Sequence, residues 1–315
     1  MNYYLKKSLI FLFSLFFVIC ITFFLMKSIP GDPFTSEQEM PKEILDSLYA
    51  HYGFDKPLYV QFFKYLKGIA TFNLGPSYVY EGKMVGSIIK EAFPISAFIG
   101  LQAILIALIF GISLGVIAAI KQNKWVDRFI LILSVSCVSI PSFLLATLLQ
   151  YVLSIKLSLF PIARWGTYWH TVLPTLALAA TPMAFILKMI RANLIDIYKM
   201  NFIKLAHAKG LSNMQILIKH ALPNAILPVI SYLGPITAYV LTGSFIIEKI
   251  FGIPGMGQWL IISIHNRDYT MIMGFTIFYS TVLMLSVFLV DLLYSWIDPR
   301  IQLKNETKNF EIPLP

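Results

Sequence analysis

The sequence has little charge and almost no cysteine, and both shortages narrow what the chain can be. Charged residues make up 13% of its 315 residues, whereas hydrophobic residues make up 57%. A soluble domain carries about 25% charged residues, so this chain lacks the polar surface that would cover a soluble fold. The only two cysteines, Cys20 and Cys137, lie within apolar runs, which argues against a disulfide framework and a cysteine metal site. The composition indicates a membrane protein.

Sequence signatures of catalysis are also missing. No G-x-x-x-x-G-K-[ST] loop occurs, because the one Gly-Lys pair, at Gly82, lacks the upstream glycine. The five histidines show no metal-ligand spacing, and no nucleophile with a base stands in the apolar runs. We therefore expect no cofactor, no metal and no catalytic site in this chain. Nucleic-acid binding is not expected either, since no basic-aromatic patch accompanies the net charge of +9.

Charge-free runs locate the membrane spans. Each can supply the ~20 apolar residues that cross a ~30 Å hydrocarbon core. The first follows Lys6 and Lys7 but precedes no A-x-A-like cleavage site, so we expect an uncleaved anchor. The sequence therefore predicts an all-α, multi-pass membrane protein with about six transmembrane helices. The runs are 8–26, 92–120, 129–155, 165–187, 220–247 and 269–290.

The distribution of lysine and arginine orients these spans. The segments on the side of the two termini hold 14 of these residues, against 4 in the short opposite loops. Cytoplasmic loops carry such an excess. We therefore expect both termini, Lys124 and Lys209 in the cytoplasm, and Tyr80 and Met256 exposed outside.

The chain divides into four parts by this topology. Residues 1–28 form a cytoplasmic tip and the first helix, residues 29–94 an extracytoplasmic region, residues 95–300 a core of five helices, and residues 301–315 a cytoplasmic tail. Within the outer region, residues 36–54 predict an amphipathic helix that ends near Gly53. Residues 57–72 predict a second helix lying on the membrane surface.

The cytoplasmic loop before the fifth run reads "LAHAKGLSNMQILIKHALPNAILP", residues 205–228. Gly210 suits a left-handed helix cap. Ser212 and Gln215 have the spacing of a capping box, and Leu211 and Ile216 that of a hydrophobic staple. Prolines 223 and 228 are expected to end the second helix. The segment therefore predicts a helix, a tight turn and a second helix.

The first arm of this segment presents small residues between charges. Ala206, Ala208 and Gly210 would let another surface approach closely, and Lys204 and Lys209 lie at the edges. A solvated, positively charged loop without a further role is the alternative interpretation.

Residues 204–223, "KLAHAKGLSNMQILIKHALP", resemble the "EAA" loop of ABC importer permeases. The oligopeptide and dipeptide branch has A-x-A-K-G-L followed by H-A-L-x-N-A-x-x-P, and both occur here. Lys204 replaces the glutamate of the general motif and His220 its isoleucine, as is usual in that branch. "PGDP", "YGFDKPLYVQF", "NLGPS", "GSFIIEKIFGIPGMG" and "NRDY" extend the resemblance, in order, over nearly the whole chain.

The resemblance implies a type I ABC importer permease fold with an extracytoplasmic insertion between helices 1 and 2. It implies a subunit of an ATP-driven, binding-protein-dependent importer in the bacterial inner membrane. Oligopeptides are the favoured substrate, with dipeptides or nickel complexes as alternatives. The implied partners are a second homologous permease, two cytoplasmic ATPases that bind ATP and Mg²⁺, an extracytoplasmic peptide-binding protein and membrane lipid.

The resemblance also makes the loop 199–228 the coupling segment, which enters a cleft on an ATPase. The residues expected to take part are Lys204, Leu205, Ala206, His207, Ala208, Lys209, Gly210, Leu211, Ser212, Gln215, His220 and Pro223.

A second candidate region is "GIPGMGQW", residues 252–259, expected on the outer side. It is either a simple turn or a loop that lines the pathway mouth and contacts the binding protein. The residues concerned are Glu248, Pro254, Gly255, Gly257, Arg267 and Asp268.

Asp291 lies at the cytoplasmic end of the last run, where Lys188 or Arg191 is the expected partner. An ion-coupled secondary transporter is the alternative of a different class. It usually needs ionisable residues near mid-membrane, and the six runs are charge-free across their centres.

Overall fold

The computed structural model describes residues 3–29 and 42–297, so the "PGDP" motif and the tail 301–315 lie outside the described residues. In the described part all regular structure is helical, apart from an isolated antiparallel bridge between Pro76 and Met84. Two π-helical turns, Gln150–Lys156 and Leu217–Ala221, follow α6 and α9. The α-helices are α1 Tyr3–Ser28, α2 Lys42–Tyr52, α3 Leu58–Ala70, α4 Val85–Ile120, α5 Trp125–Ser139, α6 Ser142–Leu149, α7 Trp169–Ile197, α8 Asn201–Ala208, α9 Asn213–Ile216, α10 Leu222–Leu241, α11 Phe245–Phe251, α12 Met256–His265 and α13 Tyr269–Ile297.

Helices α4 and α7 form the centre of the bundle and run parallel to each other. Gly111 and Gly115 of α4 lie against Ile186 and Ile190 of α7, where an added Cβ would stand 2.9 Å from each isoleucine Cβ. Small residues let helix backbones approach closely in a membrane, where burial of apolar surface contributes little. The two glycines therefore set the distance between the two central helices.

Helices α1 and α13 pack antiparallel. Lys7 of α1 forms an ion pair with Asp291 near the end of α13, while Phe23 and Met26 pack against the start of α13. The expectation that Asp291 pairs with Lys188 or Arg191 is therefore wrong, because α1 covers that face of α13. The two ends of the described chain lie at the same end of the bundle.

The remaining contacts define how often the chain traverses the bundle. Helix α10 runs antiparallel to α7, since the Asn193 side chain donates to the Ala225 carbonyl across 3.2 Å. Helix α13 starts beside the start of α4, where a Cβ on Gly274 would meet Val85. The bent pair α5–α6 therefore connects opposite ends, whereas the bent pair α11–α12 leaves and returns at one end. The described chain makes six traverses, in agreement with the six predicted spans.

Helix bounds differ from the predicted runs at several places. The third run, predicted over 129–155 as one span, is broken between Ser139 and Ser142, where its two parts meet at 107°. The fifth run, predicted over 220–247, ends at Leu241, because Gly243 adopts a φ of +86° and turns the chain back. The fourth, predicted over 165–187, spans Trp169–Ile197 and so contains Arg191. This charge is tolerated there because Asp127 pairs with it.

The prolines of α10 do not end a helix as predicted. The chain is helical from Asn213 to Leu241, with Pro223 in the first turn of α10 and Pro228 inside it. Proline removes an amide donor and crowds the carbonyl four residues earlier. The wider π-helical turn just before Pro223 relieves this conflict.

Residues 42–84, here called the cap, cover the ends of α1 and α13. Within the described residues both predicted helices are present: α2 ends before Gly53, which has a φ of +78°, and α3 begins after Pro57. Residues 36–41 of the first predicted helix lie outside the described residues. The cap is tied down by Asp268, whose carboxylate accepts from the Ser77 hydroxyl. The cap lies at the opposite end of the bundle from residues 198–221, here called the elbow, which join α7 to α10.

Candidate functional site

The first arm of the elbow, α8, is amphipathic. Ile203 and Ala206 are buried against the helix bundle, whereas Phe202 and Leu205 are 40% and 57% exposed. The apolar residues of α8 thus occupy a wider part of the helix surface than the part that packs against the bundle. Part of an apolar helix face therefore remains exposed to solvent at this end of the bundle.

The turn after α8 is a Schellman motif. The Gly210 amide donates to the His207 carbonyl (2.9 Å), and the Leu211 amide donates to the Ala206 carbonyl (3.3 Å). These two bonds require a residue with a left-handed backbone conformation just after the helix. Gly210 is that residue, with a φ of +79°. No atom lies within 4 Å of the position that a Cβ on Gly210 would take. The predicted left-handed cap is confirmed, and glycine is required there for its backbone alone.

The second arm begins with the predicted capping box. The Gln215 amide donates to Ser212 Oγ (3.4 Å), and the Ser212 amide donates to Gln215 Oε1 (3.0 Å). Leu211 packs against the apolar cluster that contains Ile216, as the predicted staple requires. In the turn that joins the two arms, the amides of Lys209, Gly210, Leu211 and Ser212 therefore all donate hydrogen bonds.

Three helices are joined beside the elbow. Arg191 donates two hydrogen bonds to the Asp127 carboxylate, of 2.6 and 2.7 Å, and Asp127 also accepts from the Asn123 amide (2.9 Å). Bidentate, charge-assisted pairs of this kind fix geometry strongly. Together with the bond from Asn193 to the Ala225 carbonyl, this pair links the start of α5, the end of α7 and the start of α10. The two helices that the elbow joins, α7 and α10, are therefore bonded directly to each other next to it.

The elbow surface combines apolar side chains with positive charge. Lys204, His207 and Lys209 are exposed between the apolar positions, and no salt bridge involves Lys204 or Lys209 within residues 3–29 and 42–297. The exposed apolar side chains are here called the elbow patch: Phe202, Leu205, Met214 and Ile218, which are 40%, 57%, 64% and 56% exposed.

Three members of the elbow patch were missed by sequence reasoning, which named only Leu205. For Phe202 a signal is present in the sequence, because Phe202, Ile203, Leu205 and Ala206 make α8 apolar over roughly 160° of its circumference at 3.6 residues per turn. A helix that packs on one side of a protein needs a narrower apolar stripe than this.

The structure also corrects one predicted contact residue. Ala206 is buried beneath its own helix, with 6% of its surface exposed, and packs in the core cluster. Its small side chain therefore serves internal packing. Leu211 and His220 are half-buried. The other predicted coupling residues are exposed: Lys204, Leu205, His207, Ala208, Lys209, Gly210, Ser212, Gln215 and Pro223.

At the opposite end, residues 243–265 form the re-entrant corner, in which α11 and α12 meet at 106°. The Glu248 carboxylate is buried at the centre of this corner. It accepts hydrogen bonds from Ser96 Oγ (2.7 Å), the Gly257 amide (2.9 Å) and the Gln258 amide (3.3 Å). Ser96 Oγ in turn accepts from the Met256 amide (2.8 Å). One side chain thus joins α11, the start of α12 and the central helix α4.

Three glycines make room for this carboxylate. A Cβ on Gly243 or Gly255 would overlap Glu248 and Ser96, and one on Gly257 would stand 3.0 Å from Glu248 Oε2. Among these glycines only Gly243 also has a positive φ. The recurring glycines of this segment are therefore required for space around a buried acid.

The predicted outer loop 252–259 differs from the structure in its exposure. Met256 is fully buried, so the expectation that it is exposed is wrong. Glu248 and Asp268, predicted to flank a polar mouth, are 3% and 0% exposed. The reason is that α11 and α12 fold back onto α4. Tyr80 is half-buried for a related reason, since its ring meets Trp259 edge-on.

The other residues predicted to line the pathway mouth differ in their exposure. Pro254 and Arg267 are exposed, whereas Gly255 and Gly257 are buried. Asp268 caps α13, because its carboxylate accepts from the Met271 amide (3.1 Å) and from Ser77 of the cap. Within the described ranges, no group of three His, Cys, Asp or Glu residues is placed to hold a metal ion.

Two sequence-family profiles match the chain. The family described as "Binding-protein-dependent transport system inner membrane component" matches residues 111–303, which contain the elbow and the re-entrant corner. Its N-terminal counterpart, "Binding-prot-dependent transport system membrane comp, N-term", matches residues 1–99.

Several characterised proteins are similar over nearly their whole length. The dipeptide transport system permease protein DppB of Bacillus subtilis (strain 168) is 46% identical over 302 residues, covering 96% of this chain and 98% of that protein. The oligopeptide transport system permease protein OppB of Haemophilus influenzae is 39% identical over 304 residues, covering 96% and 99%. OppB of Escherichia coli (strain K12) is 39% identical over 305 residues, again covering 96% and 99%.

Proposed function

The chain belongs to the family of binding-protein-dependent transport system inner membrane components, and we propose that it is the permease subunit of an ATP-driven peptide importer. The observation that carries the proposal is the elbow, a rigid two-helix segment that exposes an apolar patch between lysines. The names of the similar proteins, which refer to dipeptide and oligopeptide transport, support peptides as the substrate class.

The elbow patch has the character of a docking surface. Its four side chains are between 40% and 64% exposed, and burying one such side chain is worth about 1.5–3 kcal/mol. Lys204 and Lys209 beside it add attraction to an acidic rim. We assign this patch to a cleft on a cytoplasmic ATPase, which binds ATP and Mg²⁺ in place of this chain.

The fold supports a way of coupling ATP binding to transport. When two ATPases close on ATP, they displace the elbow and, with it, the ends of α7 and α10 that it joins. The Asn193 bond holds these two helices together, and the Arg191–Asp127 pair ties α5 to α7. Those helices tilt together and change which end of the pathway is open. A second, homologous permease would supply the other half of that pathway, and an extracytoplasmic binding protein would deliver the peptide.

Docking is tested by replacing Leu205. Leu205→Ser should reduce the ATPase that co-purifies with the permease about tenfold, because it removes roughly 1.4 kcal/mol or more of apolar contact. Leu58→Ser is the matched control, since Leu58 is 54% exposed on the cap, against 57% for Leu205. Equal membrane levels of both variants, with normal co-purification and uptake for Leu205→Ser, would show that the elbow patch docks nothing.

Orientation follows from the charge count, which places the elbow end in the cytoplasm. The test uses single cysteines at Lys124 and Lys209, and at Gly82 and Pro254 at the opposite end, all of which are exposed. An impermeant thiol reagent applied to whole cells should label only the last two. Labelling of position 209 from outside would refute both the topology and the docking.

Peptide length stays a prediction. The sequence resemblance favours oligopeptides, while similar proteins are named for both lengths. Uptake of a labelled hexapeptide and of a labelled dipeptide, each measured with and without an excess of its unlabelled form, separates the two. Competed uptake of the dipeptide alone would assign the chain to dipeptide import.

A further inference from the structure

A cavity of about 420 Å³ lies at the cap end of the bundle. It is enclosed by the end of α1, by α3, by the loop that follows α3, and by the start of α13. Apolar side chains form much of its wall, including Phe23, Val60, Leu74 and Met273. The cavity is far from the elbow and separate from the re-entrant corner.

The charged residues of this cavity are all positive. Lys27, Lys56, Lys64 and Lys67 line it, and no aspartate or glutamate does. Within the described part of the chain, none of these lysines forms a salt bridge. Lys27 Nζ lies 3.9 Å from the centre of the Phe54 ring, and Lys64 Nζ lies beside Gly53. Two ammonium groups therefore converge on the turn that joins α2 to α3.

Two hydroxyl groups of cavity-lining residues lack a hydrogen-bond partner in the described structure. They are Tyr65 OH and Thr270 Oγ1, both buried, and Thr270 is only 7% exposed. A buried polar group without a partner costs about 1–3 kcal/mol. Burial raises the pKa of the Tyr65 hydroxyl, so it remains a donor at physiological pH. An acceptor-rich anion in the cavity would satisfy both hydroxyls and the lysines.

The surroundings indicate where such an anion would come from. The outward side of α3 and the second residue after it carry exposed aromatic rings: Tyr59, Phe63 and Phe72 are 67%, 66% and 93% exposed. Aromatic rings and lysines together are typical of the headgroup level of a membrane. The cavity wall also includes Phe23 and Met273, on the α1 and α13 helices that cross the bundle.

We propose that this cavity binds the phosphate headgroup of an anionic phospholipid from the leaflet at the cap end. The phosphate accepts hydrogen bonds from the lysine ammonium groups and from the Tyr65 and Thr270 hydroxyls. The acyl chains leave along the apolar wall formed by α1 and α13. The bound lipid thereby fastens the cap to the first and last helices.

The full-length chain is tested in nanodiscs of phosphatidylcholine with increasing phosphatidylglycerol. The wild-type midpoint of thermal unfolding should rise and saturate, because a ligand bound to the folded state stabilises it. Lys27→Gln with Lys64→Gln should raise the half-saturating lipid fraction about tenfold or more, since charge-assisted contacts are lost. Lys42→Gln with Lys83→Gln, which removes two exposed cap lysines outside the cavity, should leave the titration unchanged. An unchanged titration in the Lys27, Lys64 variant would overturn the proposal.

Two further experiments are needed. The first tests whether the Thr270 hydroxyl binds the anion or only stabilises the fold, and the second tests whether the ligand is a lipid or a free phosphate. Thr270→Val should leave the midpoint in pure phosphatidylcholine unchanged or higher, yet weaken the response to phosphatidylglycerol about threefold or more. Loss of stability in both lipids with an unchanged response would overturn the assignment of this hydroxyl to the anion. Glycerol phosphate added to phosphatidylcholine discs should have no effect. A full shift from glycerol phosphate would overturn the lipid as the source.

Discussion

The elbow and the re-entrant corner are short glycine-containing turns at opposite ends of the bundle, yet their glycines meet different requirements. Gly210 in the elbow has a φ of +79° and open space around its α-carbon. Gly255 in the corner follows ordinary extended backbone, with a φ of −95°, but a side chain there would overlap Glu248 and Ser96. The first position needs a backbone conformation, and the second needs room.

This difference determines which substitutions each region can accept. The elbow should accept a residue that tolerates a left-handed backbone, because nothing crowds the position. The corner should accept none, unless the buried acid that fills its space is also changed. The elbow is built to present a surface to another molecule, and the corner is built around a contact within its own chain.

Gly243→Ala should have the largest effect, because that position combines both requirements. Its φ is +86°, and an added Cβ would overlap the Glu248 carboxylate. Overpacking costs ~1–3 kcal/mol and the left-handed backbone ~1–2 kcal/mol more, so most folded protein should be lost. The measurement is the monodisperse yield and the thermal midpoint in detergent.

Gly86→Ala is the matched control for that variant. Gly86 lies in the first turn of α4 with no atom within 4 Å of its missing Cβ. Alanine is favoured over glycine in a helix by up to ~1 kcal/mol, so this variant should be as stable as the wild type or more so. A wild-type midpoint for Gly243→Ala would remove the distinction between the two regions.

Gly255→Ala should destabilise by ~1–3 kcal/mol through overlap alone. Glu248→Ala should cost a similar amount, since it leaves the Ser96 hydroxyl and the Gly257 amide without an acceptor. Combined, the two changes should cost less than their sum, because the smaller side chain vacates the space that the new methyl needs. Additive unfolding energies in a double-mutant cycle would show that Glu248 is not what excludes a side chain.

Gly210→Asp should uncouple transport while leaving insertion intact. The substitution lies outside every apolar run, costs the fold only ~1 kcal/mol, and places negative charge among Lys204, Lys209 and the elbow patch. Uptake and ATPase co-purification should fall about tenfold. Asparagine has nearly the same shape as aspartate and tolerates a left-handed backbone, but it carries no charge. The Gly210→Asn variant should therefore keep most of the uptake and most of the ATPase co-purification. Normal uptake by a fully expressed Gly210→Asp variant would mean that the elbow is a solvated loop.

Gln215→Ala should have the smallest effect. It removes the side chain that accepts from the Ser212 amide, while the Gln215 amide can still donate to Ser212. Loss of half a capping box costs ~0.5–1 kcal/mol locally. Hydrogen exchange should quicken at the Ser212 amide, with uptake reduced less than twofold. Faster hydrogen exchange across α10 as well would show that the capping box stabilises more than its own turn.

How far the structure could be predicted depends on how local each feature is. The elbow was predictable in detail, because its caps and staple are encoded within seven residues, from Gly210 to Ile216, and need no distant partner. The six traverses were predictable because a long apolar run has few alternatives in a membrane. These parts of the fold follow from near-neighbour chemistry.

The re-entrant corner could not be predicted in the same way. The run continues past Leu241 without a charge until Glu248. The Glu248 carboxylate, around which the corner is built, accepts from Ser96, which lies 152 residues away in the sequence. The Lys7–Asp291 pair spans 284 residues, and Lys188 and Arg191 are equally basic choices nearby in the sequence. The elbow patch was overlooked for another reason: attention fell on small residues, whereas excess apolar width around α8 was the relevant signal.

The Lys7–Asp291 pair has a consequence for the order in which the described helices assemble. Helix α1 leaves the ribosome before the other described helices, and its main helical neighbour, α13, leaves after them. Helix α1 therefore cannot make its main helical contacts until the other described helices have been synthesised. Helix α13 supplies both the carboxylate that pairs with Lys7 at one end of α1 and the apolar side chains that pack against the other end. A chain whose synthesis stops before residue 269 therefore lacks these contacts to α1.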